Sequence, residues 1–415
     1  MTINENVMIQ REQEMFVNWD FRKANTKEFT HGIHTYPAMM IPQIARRLIY
    51  LYGKDANTLL DPFCGSGTSL VEASLVQGIK RVYGFDLNPL AVLISKVKST
   101  PLNLKRLEPT LDIILNSDEE ERIPRFKNIE FWFKPKIIEK LGIIKTAINK
   151  IEDKDIKDFF LVCFSETVRN VSNTRNGEFK LYRMENKKLD KHNPDVFKEF
   201  EDIALSNIES LREYLRFRTE TDIKISNTNS MNNLPIDDGV IDLIVTSPPY
   251  GDSKTTVAYG QFSRLALQWL DYDNVANLDN SLLGGKASKE LEVKINSPAL
   301  KEIISKIGNI DKKRAKEVLS FYEDFDKCVI QLDRVMAKKG YVCFVVGNRT
   351  VKGVNIPTDK IMSEMFNARG DYSYITTYLR EIPNKRMPKL NSPSNKIGEK
   401  ATTMCNEFIF VLQKN

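Results

Sequence analysis

The most constraining feature of this chain is a short apolar run that breaks into a glycine-rich loop and then a helical pattern. Residues 58–61 lead into the loop Cys-Gly-Ser-Gly-Thr at positions 64–68, and apolar residues then recur at helical spacing through Val76. Strand, glycine loop and helix in this order typically begin a doubly wound α/β sheet whose loop lets a ligand approach the backbone. Asp86 ends the next apolar run, where an acidic residue reaches ribose hydroxyls. The sequence therefore predicts a nucleotide pocket at the carboxyl ends of the first two strands.

A second apolar run, residues 240–245, predicts a buried strand that stops in Thr246-Ser247-Pro248-Pro249-Tyr250. The two prolines lack a backbone N–H and have a fixed φ, so the loop is stiff and its carbonyl groups are not used in a helix. The Ser247 hydroxyl beside those carbonyls, with the flat face of Tyr250, suits a planar base that carries an amino group. The alternative is a proline-rich turn that follows a core strand and binds nothing.

These two stretches resemble the cofactor motif and the catalytic motif of the amino-methylating DNA methyltransferases, and the serine form of the second motif is similar to the cytosine-N4 branch. Residues 31–38 resemble the segment that precedes the glycine loop in members with this order and closes over the methionine end of the cofactor. The resemblance implies S-adenosyl-L-methionine as cofactor and double-stranded DNA as substrate. It also implies a restriction–modification system, in which a cognate restriction endonuclease acts on the same site.

The resemblance further implies which residues are catalytic and which bind the cofactor. We expect a catalytic loop of Ser247, Pro248, Pro249 and Tyr250, in which the serine hydroxyl and the Pro248 carbonyl accept the two amino hydrogens of a flipped cytosine and Tyr250 stacks on the base. We expect the cofactor to be bound by Tyr36, Pro37, Ala38, Asp61, Phe63, Gly65, Ser66, Gly67, Thr68, Asp86 and Asn229.

Several alternatives stay open at this point. Adenine-N6 methylation is the nearest, although that loop usually begins with Asp or Asn where this chain has Ser247. An RNA methyltransferase and a non-catalytic DNA-binding protein with this fold are two others. Carbon-5 methylation of cytosine is disfavoured, because it needs a cysteine nucleophile and the chain contains no Pro-Cys pair.

The order of strands and helices predicts a Rossmann-like methyltransferase sheet of seven strands, with the last pair antiparallel and an antiparallel strand at one edge. We assign residues 1–100 and 222–415 to the catalytic domain. Residues 101–221 are charged, almost free of glycine and helical in pattern, which indicates a helical insertion. Residues 271–317 form a second, smaller insertion that we expect to be flexible and within reach of DNA.

One irregular stretch of the helical insertion mixes cations with amides, hydroxyls and aromatic rings, a composition that suits contacts to phosphates and base edges. A solvated loop between helices is the alternative. The residues expected to contact DNA are Arg169, Asn173, Arg175, Lys180 and Arg183, together with Lys254 just after the catalytic loop.

Composition adds only weak limits. The 415 residues carry a net charge of +6, which is compatible with a phosphate backbone as partner without requiring one. Five scattered cysteines argue against a disulfide framework and favour a reducing, cytoplasmic setting. Three dispersed histidines do not suggest a metal site, and the sequence shows neither a signal peptide nor a run of transmembrane length, so we expect no metal and no membrane partner.

Overall fold

Seven strands form one mixed sheet in the computed structural model, which describes residues 18–175, 177, 179–252, 256–382 and 406–415, and the backbone alone of two short strands between these last two ranges. The strands are β1 (Thr58–Asp61), β2 (Arg81–Asp86), β3 (Asp222–Asn227), β4 (Ile241–Thr246), β5 (Met336–Val346), β6 (Arg349–Val351), β7 (Val354–Ile356), β8 (Tyr372–Glu381), β9 (Leu390–Asn391), β10 (Ala401–Thr402) and β11 (Asn406–Lys414). The order across the sheet is β3-β2-β1-β4-β5-β11-β8. β6 with β7 and β9 with β10 form separate antiparallel pairs.

The expected fold class, a Rossmann-like methyltransferase sheet of seven strands with the last pair antiparallel, is confirmed. β1 to β5 run parallel, and β11 is antiparallel to both of its neighbours. The expectation that the antiparallel strand lies at an edge is wrong, because β11 lies between β5 and β8. Residues 409–412 are buried, whereas β8 exposes Tyr374 and Leu379. Pairing with both β5 and β8 places β11 inside the sheet and leaves β8 at the edge.

The helices are α1 (Pro42–Tyr52), α2 (Thr68–Ala73), α3 (Pro89–Ser99), α4 (Leu104–Leu115), α5 (Ile129–Trp132), α6 (Pro135–Asn149), α7 (Lys154–Val171), α8 (Asn186–Lys191), α9 (Val196–Leu215), α10 (Tyr259–Trp269), α11 (Leu278–Ser281), α12 (Pro298–Ile310), α13 (Lys312–Val335) and α14 (Thr358–Asn367). Helices cover both faces of the sheet, as successive residues of β4 show. Leu243 and Val245 pack in a core with α1 and α2, while Ile244 packs in a core with α12, α13 and α14. This alternation follows from the two-residue period of a strand that is buried on both sides.

The predicted helical insertion contains α4 to α9, and it packs directly on the sheet domain. One hydrophobic core includes Leu141 and Phe160 of the insertion, Leu90 of α3, and Phe262 and Trp269 of α10. A shared core of this kind fixes the insertion beside the helix that follows the catalytic loop. The assignment of residues 101–221 as a separate domain stays a prediction.

Residues 271–317, predicted to be a flexible insertion, contain α11, α12 and the start of α13. Leu283, Ile295 and Leu300 are buried in the core shared with the sheet. The segment therefore contributes to the packed body of the protein, and its flexibility stays a prediction.

Candidate active site

The two predicted loops lie side by side. β1 and β4 are parallel neighbours, with Leu59 opposite Leu243, so both strands end at the same edge of the sheet. Thr246, the last residue of β4, donates a hydrogen bond from Oγ1 to Oδ1 of Asp61 at 2.6 Å. Ser69 donates to the other oxygen of the same carboxylate. A direct side-chain bond therefore ties the glycine loop to the catalytic loop, and burial raises the pKa of Asp61 to about 6.

The conformation of the glycine loop explains its sequence. Gly67 has φ +81° at the start of α2, and a Cβ there would lie 3.0 Å from Cβ of Ser95. Only glycine meets both conditions without strain. The backbone N–H of Gly65 donates to Oδ2 of Asp86 at 2.9 Å, and Asn88 N–H donates to Oδ1 at 2.8 Å. Asp86 thus holds the loop from the end of β2, and burial raises the pKa of its carboxyl to about 6.

One open pocket joins the two loops. Ten of the eleven expected cofactor residues line it; the exception is Gly67, whose backbone turns the chain into α2. Ser66 is buried in the pocket wall, and its hydroxyl has no hydrogen-bond partner among the described residues. A buried hydroxyl of a pocket-lining residue that lacks a partner fits a polar ligand there. The lining also includes Thr228, Ser230, Met231, Leu87, Asn88, Tyr259, Leu282 and Leu283.

The predicted segment before the glycine loop covers the pocket. Tyr36 is buried, and its ring stacks on Tyr259 with 6.0 Å between ring centroids. The Asn88 amide donates to the Tyr36 hydroxyl at 3.0 Å and to Ser263 Oγ at 2.7 Å. Asn88 therefore connects the cofactor side of the pocket to α10. The two nearby histidines are buried and hydrogen-bonded within the fold: His31 bonds to Glu72, and His34 to Ser165 and the Thr35 carbonyl.

The catalytic loop is only partly exposed to the pocket. Ser247 and Pro249 line the pocket, whereas Pro248 is buried and Tyr250 packs against the core on the α13 side. Ser247 Oγ donates to the Val345 carbonyl at 3.1 Å and lies 3.2 Å from the Tyr250 hydroxyl. The Tyr250 hydroxyl lies 2.9 Å from Glu407 Oε1. Burial and the neighbouring Glu407 carboxylate raise the pKa of Tyr250 well above its usual value.

Sequence reasoning did not single out Asn88, Leu282, Leu283 or Glu407 as parts of the site. The pair Asn88-Pro89 does follow Asp86 directly, and an asparagine before a proline signals a helix start; here Asn88 caps α3 by accepting from Leu90 N–H. Leu282 and Leu283 belong to residues 271–317, and nothing in the local sequence indicates that this segment folds back to line the pocket.

The predicted DNA contacts lie beside α10 but differ in exposure. Arg175 and Lys180 are exposed, and Arg183 is partly exposed, with its guanidinium 4.5 Å from the Phe131 ring centroid. Arg169 is half-buried 4.1 Å from the Phe262 ring centroid, and burial lowers its pKa. Asn173 is buried and donates to the Phe131 carbonyl, a contact that supports the loop. Lys254 lies outside the described residues.

Exposed aromatic rings accompany these cations. Phe131, Phe179 and Tyr182 each expose between 45% and 47% of their surface. Phe179 contacts Phe262 of α10 at 6.3 Å between centroids, and the Leu181 N–H donates to Gln261 Oε1. The surface with rings and cations is therefore fixed to the helix that follows the catalytic loop.

Two kinds of site are absent from the part of the chain that the structure describes. It contains no cluster of three or more side chains able to hold a metal ion. No helix in it combines the length and apolar character needed to cross a membrane.

Comparison with known proteins identifies relatives of this chain. A family model described as RMKL-like, methyltransferase domain matches residues 33–103. The chain is 45% identical over 424 aligned residues to the type II methyltransferase M.MvaI of Kocuria varians, with 95% of this chain and 93% of that protein covered. A shorter match, 34% identical over 109 residues, covers 25% of this chain and 20% of the type II methyltransferase M.MjaII of Methanocaldococcus jannaschii. A solved S-adenosylmethionine-dependent methyltransferase from Methanosarcina mazei aligns over 92% of this chain and 98% of its own, with 10% identity and a TM-score of 0.32.

The match to M.MvaI extends over nearly the whole of both proteins and includes both loops of the pocket. The chain therefore belongs to the type II methyltransferase family, as a DNA methyltransferase whose expected cofactor is S-adenosyl-L-methionine.

Proposed function

We propose that this methyltransferase modifies the exocyclic N4 of cytosine at a specific DNA site, as the modification enzyme of a restriction–modification system. The observation that carries the proposal is the position of Ser247. Ser247 lines the pocket that the glycine loop also lines, and its hydroxyl donates to the Val345 carbonyl. An oxygen in this state accepts hydrogen bonds from an amino group, which is the property that an amine acceptor requires.

The pocket residues suit S-adenosyl-L-methionine. The Asp86 carboxylate at the end of β2 is placed to accept from ribose hydroxyls, and the Ser66 hydroxyl is available to a polar group of the ligand. Tyr36 covers the loop, 3.6 Å from the position of a Cβ on Gly65, and so closes the pocket at that side. When bound, the cofactor would supply an activated methyl group to the amino nitrogen, with the carbon–sulfur electron pair left on sulfur and one amino proton lost to water.

The chain's contribution to that step is to direct the amino lone pair. Ser247 Oγ and the Pro248 carbonyl accept the two amino hydrogens, so the lone pair turns from the base ring toward the pocket. Such acceptors stabilise the positive charge that develops on nitrogen more than they stabilise the bound substrate. The target atom is inaccessible in stacked DNA, so the base must be flipped out. Stacking of Tyr250 on that base stays a prediction.

The duplex is proposed to lie along residues 169–183 and α10. Arg175, Lys180 and Arg183 offer cations for phosphates, and the exposed rings of Phe179 and Tyr182 accompany them. The shared core with α10 holds this surface in a fixed relation to the catalytic loop. A cognate endonuclease is part of the proposal because the family resemblance implies it.

The decisive experiment is to methylate plasmid DNA with the purified protein and S-adenosyl-L-methionine, digest the DNA to nucleosides, and identify the product by mass spectrometry. We expect N4-methylcytosine at one recurring sequence. N6-methyladenine would establish the nearest alternative, since Ser247 is able to accept from either amine. Transfer to RNA and not to DNA, measured in parallel with a tritiated methyl donor, would overturn the proposal.

A further inference from the structure

A chain of side chains connects the catalytic loop to the last strand of the protein. Ser247 Oγ lies 3.2 Å from the Tyr250 hydroxyl, which lies 2.9 Å from Glu407 Oε1 on β11. The other oxygen of Glu407, Oε2, forms an ion pair with Arg380, the residue opposite it on β8. The side chains of Glu407 and Arg380 are largely buried, with 14% and 6% of their surface exposed. We refer to Ser247, Tyr250 and Glu407 as the hydroxyl chain.

The available protons fix the direction of these hydrogen bonds. A carboxylate paired with a guanidinium has no proton to give, so the Tyr250 hydroxyl donates to Glu407. The single Ser247 proton then goes to the Val345 carbonyl or to the Tyr250 oxygen, both of which accept. In either arrangement Ser247 Oγ presents lone pairs, and not a proton, to the pocket.

We propose that Glu407 is a positioning residue for methyl transfer: by taking the Tyr250 proton, it leaves both lone pairs of Ser247 Oγ free to accept from the amino group. The inference rests on the proposed function, because it concerns the direction of hydrogen bonding at that reaction centre. Arg380 satisfies only one oxygen of Glu407, and the second oxygen is directed at Tyr250.

Substitution of Glu407 by glutamine tests the direction of the bonds at constant shape. Arg380 still needs an acceptor, so the new amide oxygen faces Arg380 and the new NH₂ group faces Tyr250. The Tyr250 oxygen then accepts from that NH₂ group and its hydroxyl donates to Ser247, which reverses the hydroxyl chain. We expect Glu407→Gln to lower the single-turnover methylation rate by about tenfold or more, the effect of one misdirected hydrogen bond. Dissociation constants for DNA and for S-adenosyl-L-methionine should stay within about twofold.

Tyr250→Phe keeps the ring and removes the intermediate hydroxyl. If Glu407 acts through Tyr250, Glu407→Gln has no further effect on the rate in the Tyr250→Phe background. The matched control is Glu381→Gln on β8, whose carboxylate is exposed and pairs with Arg22, and which should leave the rate unchanged. Multiplicative effects of the two substitutions, or a wild-type rate for Glu407→Gln, would overturn the inference.

The product of the wild-type enzyme, identified first, separates this result from a failure of the proposed function. If the product is N6-methyladenine, the cytosine assignment fails while the comparison of variants still decides the role of Glu407. If the product is N4-methylcytosine and the effects of the two substitutions on the rate multiply, only the positioning role of Glu407 fails. If the wild type transfers no methyl group to DNA, both are overturned.

Discussion

The glycine loop and the catalytic loop meet at one edge of the sheet, but they are held from very different distances along the chain. Asp86 binds Gly65 N–H across 21 positions, within a single strand–helix–strand unit. Glu407 binds Tyr250 across 157 positions, from a strand that is added at the end of the chain. The cofactor side of the site, which is the glycine loop with Asp86, is thus specified locally. The acceptor side, which is the catalytic loop with Glu407, depends on the correct assembly of β5, β11 and β8.

Ser247→Ala gives the largest expected effect and tests the acceptor side alone. The substitution removes an acceptor that matters most as charge develops on nitrogen, so we expect the methylation rate to fall by about 10²–10³. S-adenosyl-L-methionine affinity should change little, because the cofactor side keeps its own anchors. Single-turnover kinetics and calorimetry measure the two quantities on the same preparation.

Ser373→Ala is the matched control, because its hydroxyl lies on the edge strand and donates to the exposed side chain of Asn415. It should match the wild type in both measurements. Equal losses of rate and of cofactor affinity in Ser247→Ala would show that the two loops do not act separately.

Gly67→Ala tests the cofactor side, where the backbone itself is specified. Alanine at φ +81° is strained, and its Cβ would approach Ser95 to 3.0 Å. We expect a loss of about 2–3 kcal/mol in the free energy of unfolding and at least a tenfold weaker cofactor affinity, from strain and crowding combined. Urea denaturation and calorimetry measure these changes.

Gly239→Ala is the control for backbone strain without crowding. Gly239 has φ +66°, and apart from its chain neighbours no described residue lies within 4 Å of the position that a Cβ would occupy. It should lose about 1 kcal/mol of stability, the cost of the left-handed conformation alone. If Gly67→Ala is no worse than Gly239→Ala, the contact with Ser95 does not constrain the loop.

The contrast between local and distant contacts also explains which features the sequence could predict. β1, the glycine loop and Asp86 are readable because an apolar run, a glycine pair and an acidic residue lie within thirty residues of each other, about the length of one βαβ unit. The proximity of the catalytic loop also follows, since neighbouring parallel strands end at one edge. Ten of the eleven expected cofactor residues accordingly line the pocket.

The remaining features depend on contacts between distant parts of the chain. The position of β11 inside the sheet depends on its pairing with both β5 and β8, which an apolar run alone does not predict. Glu407 reaches Tyr250 only once β11 has paired with β5, and Leu283 reaches the pocket only because residues 271–317 fold back. Neither contact leaves a pattern in the local sequence.

Lowering the pH should weaken cofactor binding at the glycine loop, and we expect this effect to be smaller than those of the substitutions above. Burial raises the pKa of Asp86 to about 6, so the carboxyl becomes protonated as the pH falls below that value. A protonated Asp86 accepts less well from ribose hydroxyls, so we expect S-adenosyl-L-methionine affinity to be constant above pH 6 and to fall by up to about tenfold per pH unit below it. Calorimetry between pH 5 and 8 measures this change.

As the pH falls, this carboxyl should increase the free energy of unfolding while cofactor affinity decreases, so the two effects can be told apart. A carboxyl whose pKa is raised by folding contributes stability that is fully present below its unfolded pKa of about 4 and is lost as the pH rises through about 6. Weaker binding at pH 5 would therefore not result from this group unfolding the protein. Asp86→Asn should bind weakly at every pH, with a flatter profile; an unchanged profile would exclude Asp86 as the titrating group.

Arg183→Ala gives the smallest expected effect and tests whether the DNA duplex lies along residues 169–183, beside the catalytic loop. Arg183 lies over Phe131 in the segment that contacts α10, so its loss should remove one phosphate contact without altering either loop. We expect DNA affinity to fall about three- to tenfold at 0.1 M salt, and the slope of log affinity against log salt to decrease by about 1. Lys198→Ala is the matched control, because Lys198 is exposed on α9 and already pairs with Glu201 and Asp202. If the two variants show the same salt slope, the phosphate backbone does not lie along this segment. The acceptor side would then have to receive its base from another direction.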